Sequence, residues 1–260
     1  MNPEEHTTLP PFPEIVAAVI THLPNRKGYH AQRFEVIQAS LESLGRDIPL
    51  YAWDNGSDAK FREWLVKDLR PEYLTLTPNI GKASARTAIL RTFPSNTIVC
   101  MSDDDILFTP GWLETQLEIL RGFPNVGAVS GCPVRTQARW GIVSTLNWAK
   151  ENAILKYDRF IPDEYEYDFC RSIGRDYTQH MSETAGEKDY LIEYNGLKAY
   201  AMAHHMQFIG YAGKLSVLGL WTRNAMRAEQ SFDVAIDRLG LLRLTTIERY
   251  TRHIGNILET

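Results

Sequence analysis

Cysteine is scarce in this chain: there are 3 among 260 residues, and Cys100, Cys132 and Cys170 form no CxxC pair. That excludes a disulfide-stapled scaffold and a structural zinc site, and it points to a reducing, cytoplasmic compartment. Long apolar runs are missing as well. No stretch approaches the ~18 residues needed to cross a bilayer, so no transmembrane segment is expected, while peripheral association with a membrane stays compatible. Positive charge is not in excess, with 28 Lys and Arg against 32 Asp and Glu and a formal net charge of -4. The broad basic field of non-specific nucleic-acid binders is therefore absent, and no nucleic-acid partner is expected. Residues 1–13 are polar and proline-rich, without the basic and apolar regions of a secretory signal, and read as a flexible segment. Neither GxGxxG nor GxxxxGK[ST] follows the first apolar run, which disfavours a dinucleotide cofactor and a Walker-type phosphate cradle.

What is present is a 44% hydrophobic chain with a clear alternation of short apolar runs and helical stripes. Ile15 to Ile20 is a continuous apolar run that suits a strand buried on both faces. Phe34, Ile37, Leu41 and Leu44 then recur at helical spacing and close at Gly45. Pro49 to Trp53 reads as a second strand, and Ser57 as the cap of a helix carrying Phe61, Trp64 and Leu65. Tyr73 to Leu76 is a third strand, Lys82 to Arg91 a helix, and a fourth strand runs from Thr97 into Asp103, Asp104 and Asp105. Thr109 and Pro110 read as N-cap and first position of the next helix, leaving the triplet in a short loop. Val126 to Ser130 is a fifth strand, and Met202 to Tyr211 a further strand and turn. Phe232, Ile236 and Leu239 form a stripe closing at Gly240, and Leu241 to Leu244 reads as a strand. This alternation predicts an α/β fold, a mostly parallel central sheet with helices on both faces. Residues 14–260 are expected to be one domain, with a regularly alternating half at 14–131 and an elaborated, aromatic-rich half at 132–260 that suits substrate recognition.

Three adjacent carboxylates repel one another and become favourable together when they face solvent, accept several donors or meet a cation. Here they end an apolar strand, at the sheet edge where ligands bind in α/β folds. Three other polar clusters fall on that same edge: Thr21 to Arg26, Asp54 to Ser57, and Asn79 to Arg86. Their convergence favours one nucleotide-type site with a divalent metal. A solvated acidic turn is the alternative for the triplet. Glu229, Asp233 and Asp237 are spaced by four, which aligns them along one side of a helix.

In this order, the clusters resemble the inverting GT-A glycosyltransferases of family 2. The matching residues are Val19 to Arg26, Asp54 to Ser57, Asn79 to Arg86, and the Asp-rich motif followed by Thr109 to Leu113. The resemblance implies a metal-dependent enzyme moving a sugar from a nucleotide-diphosphate sugar, a UDP- or GDP-sugar, to a glycan or other hydroxyl acceptor with inversion, in glycan or polysaccharide assembly. It implies that Thr21, Leu23 and Arg26 border the nucleotide and that Asp54 accepts from the nucleobase. Asn79, Gly81, Lys82 and Arg86 would form a cationic helix start near base or phosphate. Asp103 and Asp105 would hold ribose and Mn2+ or Mg2+, Asp104 would lie beside them, and His253 would complete the metal shell. Counting back eleven residues from Gly240 places Glu229 at the family's catalytic carboxylate, and counting forward thirteen reaches His253. Ala228-Glu-Gln-Ser231 departs from the family's acidic pair, so Glu229 is the expected base and Asp233 its reserve. The same residues leave open a non-catalytic sugar-nucleotide or glycan-binding module and a sugar-phosphate nucleotidyltransferase.

Overall fold

The apolar run after Glu14 forms strand β1, Ile15–Thr21, in the middle of a large sheet, and its two faces explain its composition. Ala17 and Val19 belong to one hydrophobic core, whereas Val16, Ala18 and Ile20 belong to a second core on the opposite side. A strand covered by helices on both faces has no solvated side and reads as continuous apolar sequence. The structure is a computed structural model and describes residues 12–135, 140–217 and 225–255, with the side chains of Tyr29 and of 225–230 outside that description. The expected flexible segment at 1–13 lies outside the described residues up to position 11.

The first half follows the expected alternation. After β1 come α1 (Arg33–Leu44), β2 (Leu50–Asn55), α2 (Ala59–Trp64), β3 (Tyr73–Thr77), α3 (Lys82–Thr92) and β4 (Ile98–Asp103). β1 pairs in parallel with β2 and β4, and β2 with β3. Then follow β5 (Ile106–Phe108), α4 (Trp112–Gly122), β6 (Val126–Ser130), α5 (Val143–Asn152), β7 (Ile154–Asp158), α6 (Asp163–Ser172), α7 (Tyr177–Glu183), β8 (Asp189–Tyr194), β9 (Leu197–Tyr200), β10 (Gln207–Tyr211), α8 (Ala212–Ser216), α9 (Ala225–Arg238), β11 (Leu242–Thr245) and β12 (Thr251–His253). Among the described residues the main sheet has ten strands in the order β3-β2-β1-β4-β10-β6-β11-β9-β8-β7. Its β3-β2-β1-β4 portion is parallel. β10 runs antiparallel to both neighbours, and β7, β8 and β9 form an antiparallel extension. α1 and α4 cover one face through Ile37, Leu41, Trp112 and Ile119, while α3 and α9 cover the other through Ile89, Leu90, Phe232 and Ile236.

Four local expectations are corrected. Ser57 does not cap α2; Asp58 does, accepting from Phe61 N at 2.8 Å, because the Ser57 hydroxyl is used to accept from Leu23 N. The helix after the aspartates does not start at Pro110. Strand β5 intervenes, Thr109 bonds to Tyr250 O through both its N–H and its hydroxyl, and α4 opens only at Trp112 after Gly111 in a left-handed conformation. Only Gln207–Tyr211 of the 202–211 stretch is strand. Leu239 is half exposed beyond the end of α9 and lies outside the buried stripe. The three cysteines are buried and unpaired.

Candidate active site

Because β1, β2, β3 and β4 are parallel, their carboxyl ends meet at one edge, with Thr21 beside Asp54 and Ile20 beside Asp103. β10 reaches the same edge from the other direction. Its first residue, Gln207, lies opposite Ser102, and the preceding Met206 carbonyl accepts from Asp103 N at 2.8 Å, so residues 204–206 adjoin the triplet. The short β5–β12 pairing closes the third side. It sets His253 opposite Ile106, and Ile254 N donates to the Asp105 carbonyl at 3.0 Å.

All three aspartates are nearly buried, and each meets a cation. Asp103 binds Lys82 Nζ at 2.6 Å and Arg86 at 2.5 Å, both from the first two turns of α3. Asp104 accepts from His22 N at 3.2 Å and pairs with Arg33. Asp105 Oδ2 lies 2.9 Å from Arg33 and 3.3 Å from His253 Nε2, whereas its buried Oδ1 has no hydrogen-bond partner among the described residues. Burial pushes the Asp104 carboxyl up to about 6 against the pull of Arg33, helped by the charges of its two neighbours. Burial acts the same way on Asp105, but the hydrogen bond and charge of His253, together with Arg33, outweigh it and hold this carboxyl well below the usual range. Arg33 is correspondingly raised: its own burial opposes the carboxylates and loses to them. Sequence reasoning missed Arg33. The available signal was a cation in the first turn of α1, where it opposes the helix dipole and so needs an anionic partner elsewhere.

The remaining residues expected to border a nucleotide divide. Thr21 and Leu23 are buried, and Leu23 N donates to Ser57 Oγ at 2.8 Å. Asp54 is fully buried and already accepts from Arg62 Nε at 2.7 Å and from Ser57 N, so Arg62 stands beside the position expected to meet a base. Asn79 Oδ1 accepts from Gly81 N at 2.9 Å and from Asn55 Nδ2 at 3.3 Å, shaping the turn into α3, where Gly81 has a φ of 84°. Arg26 is stacked over Phe34 with its guanidinium carbon 4.2 Å from the ring centroid. Arg62 was not singled out by the sequence, being an ordinary helix residue by pattern, whereas Asn55 and Ser57 lay inside the Asp54 to Ser57 cluster without the partners found here.

On α9, Asp233 is buried rather than solvated. Its Oδ1 pairs with Arg243 at 2.8 Å and its Oδ2 with His205 Nδ1 at 3.2 Å. Arg243 is fully buried and also donates to the carbonyls of Trp140, Gly141 and Ala203, and desolvation lowers its pKa against the pull of Asp233 and Asp237. Asp237 accepts from the N–H and hydroxyl of Ser144 at 2.7 and 2.8 Å. Glu229 is helical in backbone, one turn before Asp233, with a side chain outside the described residues. His253 Nδ1 lies 2.7 Å from Ser172 Oγ at the end of α6.

Among the described residues, no group of three or more His, Cys, Asp and Glu side chains is arranged as a metal cage. Mg2+ and similar hard ions usually keep several waters and take one or two carboxylates plus substrate phosphates. The unpartnered, buried Asp105 Oδ1, on the same carboxylate that meets His253 Nε2, fits that smaller requirement. No helix among the described residues is long and apolar enough to cross a membrane.

The family description "Glycosyl transferase family 2" matches residues 20–181. No curated protein matches the chain in sequence. Among solved structures, it is similar to S. aureus TarS 1-349 at a TM-score of 0.51 and 10% identity, over 93% of this chain and 60% of that one. It is similar to GalNAc-T7, solved with UDP, GalNAc and Mn2+, at 0.50 and 10%, over 92% and 43%. It is also similar to the mannosyltransferase PcManGT from Pyrobaculum calidifontis, in complex with GDP-Man and Mn2+, at 0.47 and 18%, over 90% and 55%. The chain thus spans about half the length of the solved chains it resembles. The TarS and GalNAc-T7 likenesses agree with the expected GT-A fold.

Proposed function

The chain belongs to glycosyl transferase family 2, and on that premise we propose that it transfers a sugar from a nucleoside-diphosphate sugar to an acceptor hydroxyl, with inversion at the anomeric carbon and with a divalent ion. One observation carries the reading: Asp103 ends β4 and Asp105 lies in the turn after it, at the edge where Lys82, Arg86, Arg33 and His253 converge on them. Three cations against three carboxylates leave the cluster near neutrality before any ion binds. A divalent ion then creates the surplus positive charge that a diphosphate requires.

Asp105 and His253 are the residues that would hold Mn2+ or Mg2+, with Asp103 beside them. The ion supplies charge against the leaving diphosphate. Lys82 and Arg86 orient Asp103 and carry positive charge toward the phosphates from the start of α3. Asp54 with Arg62, and Asn79 with Asn55, shape the pocket for base and ribose. The 14–131 half handles the donor, and the 132–260 half presents the acceptor and the base, for which the family spacing favours Glu229. Glycan or polysaccharide assembly in the cytoplasm is the corresponding role, in keeping with three free thiols.

Thermal shift against UDP, GDP, CDP and TDP, each with and without Mn2+, tests this, because a ligand of the native state raises apparent stability. The expected result is metal-dependent stabilisation by one of them that is lost in Asp105→Ala. If no nucleoside diphosphate binds, the reading is wrong. Binding without turnover of the matching donor would instead support the non-catalytic module.

A further inference from the structure

Asp54, the carboxylate expected to meet the nucleobase, has no surface with which to do so. Its side chain is 0% exposed, Ser57 N lies 3.3 and 3.2 Å from its two oxygens, and Arg62 Nε donates to Oδ2 at 2.7 Å. Arg62 is the accessible member of that pair, with 33% of its side chain exposed. Its guanidinium is fixed at the edge where the parallel strands end. Asp54 is the last residue but one of β2, Thr77 is the last of β3, and the Thr77 carbonyl accepts from Arg62 Nη2 at 2.6 Å. Nη1 is left over: it has no hydrogen-bond partner among the described residues and is not a buried atom, so it faces solvent. Apolar surface lies on the same edge. Leu76, paired in register with Asp54, and Ile80, whose N–H is bonded to Asn55 Oδ1, are each 44% exposed.

We propose that Arg62 selects the nucleobase of the donor, donating from Nη1 to a carbonyl oxygen of the base, and that Asp54 is its positioning residue; this rests on the transferase reading above. A guanidinium offers only donors and a carboxylate only acceptors, so the exchange reverses the polarity of recognition. Asp54 would select a base through a ring N–H, such as N3–H of uracil or N1–H of guanine. Arg62 selects it through O4 or O2 of uracil and thymine, O2 of cytosine or O6 of guanine, and adenine has no carbonyl oxygen to offer. Two anchors, Asp54 on Nε and Thr77 on Nη2, hold the planar group before a ligand arrives, so little further ordering is required of it. A flat ring with a polar edge also matches the surroundings: a few placed donors beside apolar surface fix orientation in small-molecule sites. The diphosphate is served elsewhere, by the cations gathered around Asp103.

The test is calorimetric titration of the full chain with UDP, GDP, CDP, TDP and ADP, each with Mn2+, in the wild type, Arg62→Lys and Arg62→Ala. The wild type is expected to bind one of the first four at least about 10-fold more tightly than ADP. Arg62→Lys keeps a cation for Asp54 but has no second and third nitrogen to bond Thr77 and the base. It should therefore weaken the preferred nucleotide about 10-fold, leave ADP where it was, and close the gap between them. Arg62→Ala should do the same with a lower melting temperature, because Asp54 is left buried without its partner; the lysine variant keeps the test readable if the alanine variant fails to fold. A preference that survives intact in Arg62→Lys overturns the proposal and leaves Arg62 as a partner for Asp54 alone. Equal weakening of all five nucleotides overturns it too, as does a wild type that prefers ADP. If no nucleotide binds the wild type, the transferase reading falls and this proposal with it, whereas nucleotide binding that is indifferent to Arg62 removes this proposal only.

Discussion

His253 Nε2 lies 3.3 Å from Asp105 Oδ2, although 148 positions separate them (253 − 105). The contact exists because three-residue β5, leaving the triplet, pairs with three-residue β12 near the end of the described chain. If this pair holds the ion, His253→Ala should weaken Mn2+-dependent binding of UDP or GDP by at least ~10-fold, with little effect on binding without metal. Calorimetric titration of the nucleotide with and without Mn2+ separates the two. Equal loss in both conditions would assign His253 to structure alone.

Arg33 bridges Asp104 and Asp105 from the start of α1, with its side chain 12% exposed. Removing it leaves like charges buried together without their guanidinium, a change that costs about 3 kcal/mol in comparable buried pairs. Arg33→Ala should therefore lower the melting temperature by roughly 5–10 °C without metal. Mn2+ should restore part of that loss, since a divalent ion can replace the missing charge. A scan with and without Mn2+ checks it, and an identical deficit in both would remove Arg33 from the ion's surroundings.

Asp104 and Asp105 contribute to stability with opposite signs. Asp104 is raised to about 6 by burial, so between about pH 4 and pH 6 the native state binds more protons than the unfolded state and stability falls as pH rises. Asp105 is lowered, so its contribution is present above the unfolded value and is lost only as the solution becomes more acidic than about pH 4. Asp104→Asn should flatten the slope from pH 4 to 6 by on the order of 2–3 kcal/mol and leave the acid-side loss in place. Urea unfolding at pH 3, 4, 5, 6 and 7 measures both; an unchanged slope in the variant would show that Asp104 does not titrate in that window.

The half from β1 to β4 was legible because each of its strands is short, apolar and followed by a polar cluster, and parallel strands must deliver those clusters to one edge. Asp103, Lys82 and Arg86 are joined by that logic alone. Ser57 and Asp58 show its resolution: two adjacent cap formers compete, and a tertiary partner at Leu23 N decides between them. β5 and β12 are too short to carry periodicity, so the pairing that brings in His253 was visible only through a family spacing. The approach of Met206 to Asp103 had no local signal, because it depends on β10 running antiparallel to β4, and strand order across a long crossover is not written in either segment. Asp233 shared the spacing of a solvated face with Glu229 and Asp237, and its pairing with Arg243 on the next strand and with His205 distinguishes it.

Gly56 offers a test of the nucleotide-side loop that leaves every charged group in place. It has a φ of 94°, and a Cβ there would stand 2.7 Å from Asn79 N and 3.1 Å from Asn79 Cβ. The loop after β2 and the turn into α3 are held in register by Asn55, whose Oδ1 accepts from Ile80 N at 2.9 Å and whose Nδ2 meets Asn79 at 3.3 Å. Gly56→Ala must therefore both strain its own backbone, at about 1–3 kcal/mol, and push these two segments apart. Because Lys82 and Arg86 follow directly on the displaced turn, the shift should reach Asp103 and weaken UDP or GDP binding several-fold in the presence of Mn2+. Ser57→Ala, which removes the hydroxyl bonded to Leu23 N on the other side of the same loop, should cost stability without moving Asn79. Paired melting and nucleotide titrations of the two variants would distinguish a loop that shapes the pocket from one that only supports the fold. Equal affinity in Gly56→Ala and the wild type would separate Asn79 from the nucleotide site.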